Sequence, residues 1–327
     1  MPGTVFDHPL RLAAGHRHYD HRLGPFLALE RGYFADEGIE IASILATGED
    51  DLTVEAMLAG EIDVGLDISP AKIIDAHLAG HDLCIIGSMQ NGVRQVLTSI
   101  PEITSIAGLR GRRIHVVEQG TGVDWHPLRI LLRKHGMDPD RDVQAVFDAP
   151  FPAFANADAA FKAGIADARM MLTKEAPALR GAGYSILHDF NADYPAEYPQ
   201  RVIVVSRSAI LRQPERVEGF LRAVIRAYRF MARGDNFDAC MDVVERNIHD
   251  ENYGFPPSYP HQFHRGWGFK RPADGSMDVD GLQRFIDEEV LEGRARAGLT
   301  RQDISDLSIA QRATANINAR FGAKAYE

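Results

Sequence analysis

Cysteine is scarce in this sequence: only Cys84 and Cys240 occur among its 327 residues. Two cysteines are too few for a disulfide framework or for a thiolate metal site. Both lie in apolar segments, which predicts that they are simply buried. We expect no cofactor and no metal ligand in the predicted site, with a metal at His16, His18 and His21 left as an open alternative.

Long hydrophobic runs are also missing. No run approaches the roughly 18 apolar residues of a membrane span, so we expect no membrane insertion. Polar side chains from His16 to His21 occupy the region where a secretory signal would need its apolar stretch. As written, the chain is expected in the cytoplasm; removal of an export segment would make it periplasmic.

An excess of positive charge is absent as well. The 46 acidic residues outnumber the 36 basic ones, which gives a formal charge of -10. No dense Lys/Arg block offsets this balance, so nucleic acid is excluded as an expected partner. The 45% hydrophobic and 25% charged residues are typical of a globular protein, and the length suggests two domains of about 150 residues each.

Short apolar runs alternate with helical patterns over the first two hundred residues. Strands are predicted at 10–14, 38–44 and 62–66, and Ser69-Pro70 is expected to cap and begin a helix. This alternation is typical of βαβ units and predicts the α/β class with mostly parallel sheets. Further predicted strands lie at 83–86, 93–99, 113–117, 166–172, 184–187 and 201–205. Predicted helices include 123–135, 152–163, 214–232, 237–247, 280–296 and 303–320, and 253–280 is expected to be an ordered loop.

Two segments about 104 residues apart resemble each other. Residues 57–65 and 161–169 both contain a helix end, a glycine stop and a strand entry that carries an Asp. A glycine can take the left-handed conformation that closes a helix. Any helix-to-strand joint can look like this, but the pair suggests two α/β lobes built to one plan.

Several ordered motifs resemble a known family. They are Tyr33-Phe34 with Glu37-Gly38-Ile39, the segment 58–64, the segment 109–114 and Pro214-Glu215-Arg216-Val217. Over about residues 9 to 235 the chain resembles the type II periplasmic-binding-protein fold, in its nitrate/sulfonate/thiamine-precursor (NMT1/THI5-like) branch. The resemblance implies two Rossmann-like α/β lobes joined by crossover strands, an interlobe ligand cleft and C-terminal helices. Lobe one is expected at 1–97 and 203–327, and lobe two at 98–202.

The same fold resemblance includes cytosolic enzymes, among them thiamine-pyrimidine synthases and dihydroxyphthalate decarboxylases. The cysteine-rich motif of the synthases is absent here. A short likeness to the decarboxylases lies in Gly15 with 19–22 and in Trp125 with Leu131-Leu132. The resemblance therefore implies two kinds of activity.

In open α/β sheets, ligands bind beyond the carboxyl ends of strands, where helix N-termini point their N–H groups. The loop after the first strand carries His16, His18 and His21, which can donate to a carboxylate, transfer protons or bind a metal; a solvated loop explains them equally well. Tyr19 is a further candidate ligand contact.

The next two loops offer hydroxyl groups. Thr47 can hold a ligand oxygen, whereas Asp50 is expected to cap the following helix. Ser69 can both cap its helix and contact a ligand.

A glycine-flanked hydroxyl gives the strongest constellation. Gly120, Thr121 and Gly122 precede a predicted helix, so main-chain N–H groups and the helix dipole can receive an anion there. Trp125 can stack on a flat ligand and His126 can shuttle a proton. Capping by Thr121 and core packing by Trp125 are the alternative.

Other candidates are amides and cations. Gln90 and Asn91 lie at an expected lobe crossing, although Asn91-Gly92 also fits a turn. Lys174 can neutralise a ligand charge. Arg201 can form a forked pair with a ligand carboxylate or a salt bridge at the hinge.

Two functions remain open. The resemblance favours a solute-binding protein of ABC-transporter type that clamps a small organic anion or an aromatic or heterocyclic carboxylate between its lobes, with a membrane permease and ATPase as partners. The alternative is a cytosolic lyase on the same fold, such as a decarboxylase of an aromatic carboxylate. In that enzyme His18, His21 or His126 would transfer the proton.

Overall fold

The computed structural model describes residues 7–17, 19–116, 125–146, 161–194, 198–249 and 275–322. The chain forms two compact α/β units. Unit one comprises Met1–Asn91 and Pro199–Glu327, and unit two comprises Gly92–Tyr198. Each unit contains a five-stranded sheet.

Ten strands lie within the described ranges. They are β1 Leu10–Ala14, β2 Ile41–Ala46, β3 Val64–Ile68, β4 Leu83–Asn91, β5 Gln95–Ser99, β6 Arg113–His115, β7 Gln144–Val146, β8 Ala168–Leu172, β9 Ser185–Asp189 and β10 Pro199–Ser206.

Twelve α-helices lie in the same part of the chain. They are α1 Asp20–Glu30, α2 Tyr33–Asp36, α3 Asp50–Leu58, α4 Pro70–Leu78, α5 Trp125–Lys134, α6 Ala176–Gly181, α7 Arg207–Arg212, α8 Pro214–Ala232, α9 Phe237–Asn247, α10 Val279–Leu291, α11 Arg301–Ile304 and α12 Ser308–Phe321.

The sheet of unit one has the order β2-β1-β3-β10-β4. Strand β1 pairs in parallel with β2 and β3. Strand β10 enters antiparallel between β3 and β4 and pairs with β4 from Pro199 to Ser206. The sheet is therefore mixed, and β10, a strand from late in the chain, lies inside it between β3 and β4.

This pairing sets the unit boundaries. Residues 92–97 belong to unit two because β5 pairs with β8 and β9. Residues 199–202 belong to unit one because β10 pairs with β4 along its length. The division therefore differs from the predicted boundaries at 97/98 and 202/203, and it moves Arg201 from the second lobe to unit one.

Local sequence signals explain the elements that surround the site. Ser69 is the N-cap residue of α4 and Pro70 occupies the first turn, where its missing N–H costs nothing. Strand β3 starts two residues later than predicted, at Val64, and all five of its residues are buried. The core of unit one packs α8 against α1 and α2, with Phe34 and Phe220 stacked at 5.6 Å between ring centroids.

The same helix-to-strand joint occurs in both units. In each, a left-handed glycine ends a helix and an Asp carboxylate accepts the main-chain N–H of an arginine at 2.9 Å. The arginine side chain then pairs with that carboxylate and donates to the glycine carbonyl. The joints are Gly60, Asp63 and Arg11 in unit one and Gly164, Asp167 and Arg113 in unit two.

In unit two the sheet has the order β7-β6-β8-β5-β9. Phe161 packs on Tyr184 with 4.9 Å between ring centroids, beside the buried Met171. The predicted helix at 152–163 and loop at 253–280 lie mostly outside the described residues. None of the helices in the described ranges is long and apolar enough to cross a membrane.

Candidate functional site

The loops after β1, β2 and β3 meet at one edge of the sheet of unit one. The Gly15 N–H donates to the Leu66 carbonyl at 3.1 Å, and the Thr47 N–H donates to the Ala14 carbonyl at 3.0 Å. Because β1, β2 and β3 are parallel, their carboxyl ends fall together here. Five side chains converge at this edge, and we call them the carboxylate–histidine cluster: His16, His21, Asp50, Asp67 and Arg201.

Asp67 lies at the centre of this cluster. Its side chain is fully buried, and its Oδ1 lies 2.7 Å from Nδ1 of His21. His16 Nε2 lies 4.0 Å from Asp67 Oδ2 and 3.9 Å from Asp50 Oδ1. The two imidazole centroids are 5.4 Å apart. Both histidines therefore lie against buried carboxylates.

The backbone of Asp67 is strained. Among the described residues, Asp67 is the one non-glycine residue with a positive φ, at 59°. This left-handed conformation costs an L-residue roughly 1–2 kcal/mol, although Asp tolerates it better than most. The Asp67 N–H donates to the sulfur of Met89 at 3.0 Å. Strain of this kind is often found at functional sites.

The charge of Asp67 is stabilised by its neighbours. Burial by itself would raise the pKa of this carboxyl. The positive charges of His21, Arg201 and His16 and the hydrogen bond from His21 outweigh burial, and they lower the pKa to about 2. Asp67 is therefore an anion throughout the physiological pH range.

Asp50 links two elements of the cluster. Its Oδ2 accepts the Ser69 N–H at 2.9 Å and Nη1 of Arg201 at 2.8 Å. The prediction that Asp50 caps its own helix is wrong, because Glu49 is the N-cap residue and Asp50 begins α3. The carboxylate instead turns toward the N-terminus of α4 and toward β10.

Arg201 is only 4% exposed and reaches the cluster from β10. Besides its pair with Asp50, its Nη1 lies 3.5 Å from the Asp67 carbonyl. The structure thus brings together three of the predicted residues, His16, His21 and Arg201. It adds Asp50 and Asp67 as their counter-charges.

Gly15 makes room for these contacts. A Cβ atom at this position would lie 2.1 Å from Asp50 Oδ1 and 3.1 Å from the Asp67 carbonyl oxygen. Contacts this short do not occur for real side chains, so glycine is required while Asp50 keeps its position.

The other predicted residues in these loops of unit one contact neighbouring residues of the protein. The Thr47 hydroxyl lies 2.7 Å from that of Thr53 and donates to the Glu49 carbonyl at 2.8 Å. Tyr19 packs its ring against the core. Ser69 lies at the start of α4, where its N–H, rather than its hydroxyl, is bound by Asp50.

The predicted amides lie at the far end of β4. Gln90 Nε2 donates to Gln200 Oε1 at 2.5 Å. Asn91 Nδ2 donates to the Ser276 carbonyl at 2.9 Å, and its Oδ1 accepts from Ser88. Both amides connect segments of unit one, and Asn91 is the last residue before the chain enters unit two.

In unit two, Trp125 begins α5 and is 5% exposed. The Arg129 guanidinium lies 5.4 Å from the centroid of its ring. The buried His126 places Nε2 at 3.2 Å from the Tyr198 hydroxyl. His18, Gly120, Thr121 and Gly122 lie outside the described residues, as does the side chain of Lys174, whose backbone forms part of a short 3₁₀ turn.

Within the described ranges, no group of three or more His, Cys, Asp or Glu side chains is arranged to hold a metal ion. The side chains of the cluster offer charge and proton transfer. A guanidinium and two imidazoles can donate to an anion, and an imidazole paired with a carboxylate can carry a proton.

Sequence reasoning did not predict that Asp50 and Asp67 would lie against His16 and His21, or that Met89 would contact Asp67. Asp67 had a usable signal, since it ends the apolar run Val64-Gly65-Leu66, where a charged residue must be paired if buried. No local pattern indicated that Met89 would contact it.

Comparisons with known proteins agree with this fold. A family model described as NMT1/THI5 like matches residues 21–234. The formylaminopyrimidine-binding protein of Halalkalibacterium halodurans is 25% identical over 236 residues, which are 70% of this chain and 67% of that protein.

Two solved structures show the same fold. The periplasmic nitrate-binding protein NrtA from Synechocystis PCC 6803 is similar with a TM-score of 0.69 and 13% identity, covering 99% of this chain and 92% of that one. The periplasmic aliphatic sulphonate-binding protein SsuA from Escherichia coli gives a TM-score of 0.65 and 19% identity, covering 90% and 97%.

Proposed function

Because the chain belongs to the NMT1/THI5-like family, we propose that it is a solute-binding protein of ABC-import type that binds a small organic anion, such as an aromatic or heterocyclic carboxylate. A permease and an ATPase would be its partners, and the periplasm its place of action. The relatives named above, which bind a formylaminopyrimidine, nitrate or a sulphonate, support the class of function. The clamping of the ligand between two lobes stays a prediction.

The observation that carries this proposal is the convergence of Arg201, His16 and His21 beside the N-termini of α3 and α4. Three cationic or proton-donating side chains at the carboxyl ends of β1 and β3 suit an anionic ligand. Arg201 is held by Asp50, which orients the guanidinium before a ligand arrives.

Native mass spectrometry of freshly purified protein tests the proposal directly. We expect a co-purifying small anion or, after its removal, binding of at least one of benzoate, phthalate, nicotinate or an alkanesulfonate. Replacing Arg201 with Lys keeps a charge beside Asp50 but loses the planar fork, so affinity should fall by about tenfold or more. Arg141→Lys, at a side chain that is 86% exposed, is the matched control.

A second candidate function has one specific observation in its favour. The 2.7 Å contact between Asp67 and His21 is the arrangement that fixes an imidazole for proton transfer. In a decarboxylase of an aromatic carboxylate, His21 would protonate the carbon from which CO2 departs.

Turnover and location separate the two candidates. Release of CO2 from an aromatic carboxylate that is abolished by His21→Ala, together with recovery of the protein in the cytoplasm, would favour the lyase. Binding without turnover and recovery by osmotic shock would favour import.

A further inference from the structure

Two side-chain oxygens in the described part of unit two are buried without a hydrogen-bond partner. Gln95 begins β5 and is only 8% exposed, and its amide oxygen Oε1 meets no donor among the residues that the structure describes. The same holds for the hydroxyl Oγ1 of Thr173, the residue that follows β8. Buried acceptors that lose water without gaining a donor lower stability and are rare in folded proteins. We call Gln95 and Thr173 the amide–hydroxyl pair.

The amide–hydroxyl pair lies at the edge of its sheet where ligands bind in α/β folds. Strands β6 and β8 run parallel, so their carboxyl ends share this edge. Strand β5 runs antiparallel to β8, and Gln95 is paired with Leu172, the last residue of β8. The Thr173 N–H donates to the Arg94 carbonyl at 3.0 Å, so the two main chains lie side by side here. Both unpaired oxygens therefore belong to the carboxyl end of β8.

The corresponding place in unit one borders the carboxylate–histidine cluster. Strands β3 and β8 each have five residues and follow the repeated glycine–Asp joint, so Thr173 corresponds to Ser69. The strand antiparallel to β3 is β10, which brings Arg201 to the cluster, and the strand antiparallel to β8 is β5, which brings Gln95. Equivalent places thus offer ion-pairing groups in unit one and the uncharged amide–hydroxyl pair in unit two.

The polar groups beside the pair are already bonded within the protein. Glu175 Oε2 accepts the Leu172 N–H at 3.2 Å, and His188 Nε2 lies 2.8 Å from Asp193 Oδ2. The main-chain carbonyl of Gln95 also accepts a hydrogen bond, from the segment after β9. The side-chain oxygens of the pair are what a donor from outside the chain can still satisfy.

We propose that the amide–hydroxyl pair is a ligand-binding subsite that recognises an uncharged N–H or O–H group. An amide oxygen accepts hydrogen bonds, a hydroxyl accepts or donates them, and neither group is charged. This inference rests on the proposed function and narrows it, since the solute then carries an amino or hydroxyl substituent besides its anionic group. An anion without such a substituent would leave both oxygens unsatisfied and bind less tightly.

Matched ligands measure this preference. Isothermal titration calorimetry compares benzoate, phthalate and nicotinate with their amino- and hydroxy-substituted isomers, and ethanesulfonate with isethionate. Within each set, only the uncharged donor and its position differ. In at least one set, the analogue whose substituent reaches the pair should bind about tenfold or more tightly than its parent acid.

Two variants locate the partner of that donor. Gln95→Met keeps the length of the side chain and removes the amide, whereas Thr173→Val keeps the shape and removes the hydroxyl. Each should reduce the preference for the substituted ligand by about tenfold and leave the affinity for the parent acid nearly unchanged. Gln144→Met, at an exposed position on β7 of the same sheet, is the matched control and should leave the preference intact.

Stability without ligand separates a binding role from a structural one. Because Gln95 Oε1 has no partner among the described residues, Gln95→Met should leave the urea midpoint unchanged or raise it. Thr98→Val is the contrast, since the Thr98 hydroxyl donates to the Arg169 carbonyl at 3.1 Å. It should lower the midpoint and leave the ligand preference unchanged. A midpoint for Gln95→Met well below that of the wild-type protein would mean that the amide stabilises the fold, which refutes the inference.

The remaining outcomes distinguish this inference from the proposed function. If the parent acids bind and their substituted analogues bind no better, the pair is not a ligand subsite while the proposed function stands. The same conclusion follows if a co-purifying anion carries no N–H or O–H donor, or if the preference persists in both Gln95→Met and Thr173→Val. If no anion binds or co-purifies, the proposed function fails and this inference fails with it.

Discussion

Replacement of Asp67 with Asn tests the electrostatic account of the cluster. Asn has nearly the same shape as Asp and tolerates the left-handed backbone at this position, so the change removes mainly the charge. Arg201 and the two histidines lose a buried partner. Asp67→Ala would add strain at positive φ and is the less informative variant.

The magnitude follows from the pKa of Asp67. The ordinary value of 3.8 is lowered to about 2 in the folded protein. This difference corresponds to about 2 kcal/mol of folding free energy near neutral pH. Removing one partner of a buried ion pair costs about 3–5 kcal/mol in other proteins. We therefore expect Asp67→Asn to lower the free energy of unfolding by about 2 to 4 kcal/mol near pH 7.

The pH dependence has a definite sign. A carboxyl with a lowered pKa contributes its stability fully above the unfolded value of 3.8 and loses it as the pH falls through about 2. The stability gap between the wild-type protein and Asp67→Asn should thus narrow by about 1 kcal/mol between pH 6 and pH 3.

Urea denaturation followed by circular dichroism measures this gap. Asp7→Asn is the control, because Asp7 also contacts a histidine, His8, in unit one but is 71% exposed. It should leave stability unchanged. The reasoning is refuted if Asp67→Asn is as stable as the wild-type protein near pH 7. It is also refuted if the difference in their free energies of unfolding grows as the pH falls.

Three further predictions concern packing and burial. Gly15→Ala should weaken ligand binding by about tenfold or more, because its Cβ would displace the Asp50 carboxylate; binding titrations measure this. Cys84 and Cys240 should resist a thiol reagent until the protein unfolds, since burial raises the pKa of each thiol to about 12. Glu37→Gln should lower the free energy of unfolding by about 3 kcal/mol in urea denaturation, because this buried carboxylate binds arginines from both α8 and α12.

Each of these changes has a control or a contrary outcome. Gly234→Ala, where an added Cβ meets nothing within 4 Å, should leave binding intact. Asp36→Asn, at a carboxylate that is 52% exposed, should affect stability far less than Glu37→Gln. Rapid labelling of either cysteine in the folded protein would contradict the burial assigned to it.

Local patterns in the sequence anticipated much of the fold. The predicted strand at 10–14 coincides with β1, and the helix predicted at 214–232 coincides with α8. Such elements are fixed by apolar periodicity and by Gly, Pro and Ser at their ends, which act over a few residues. Because ligands meet the carboxyl ends of parallel strands, the same patterns also nominated the segment after β1, which carries His16 and, at the start of α1, His21.

By itself, the sequence determined the α/β class, the alternation of elements and the repeated glycine–Asp joint, since each depends on neighbouring residues. Only the tertiary structure decided that β10 enters the sheet antiparallel beside β3. That strand brings Arg201 to Asp50 across 151 residues of sequence. The pairing of Asp67 with His21 was decided in the same way, because the burial and charge of a side chain depend on segments distant in the chain, which local periodicity does not encode.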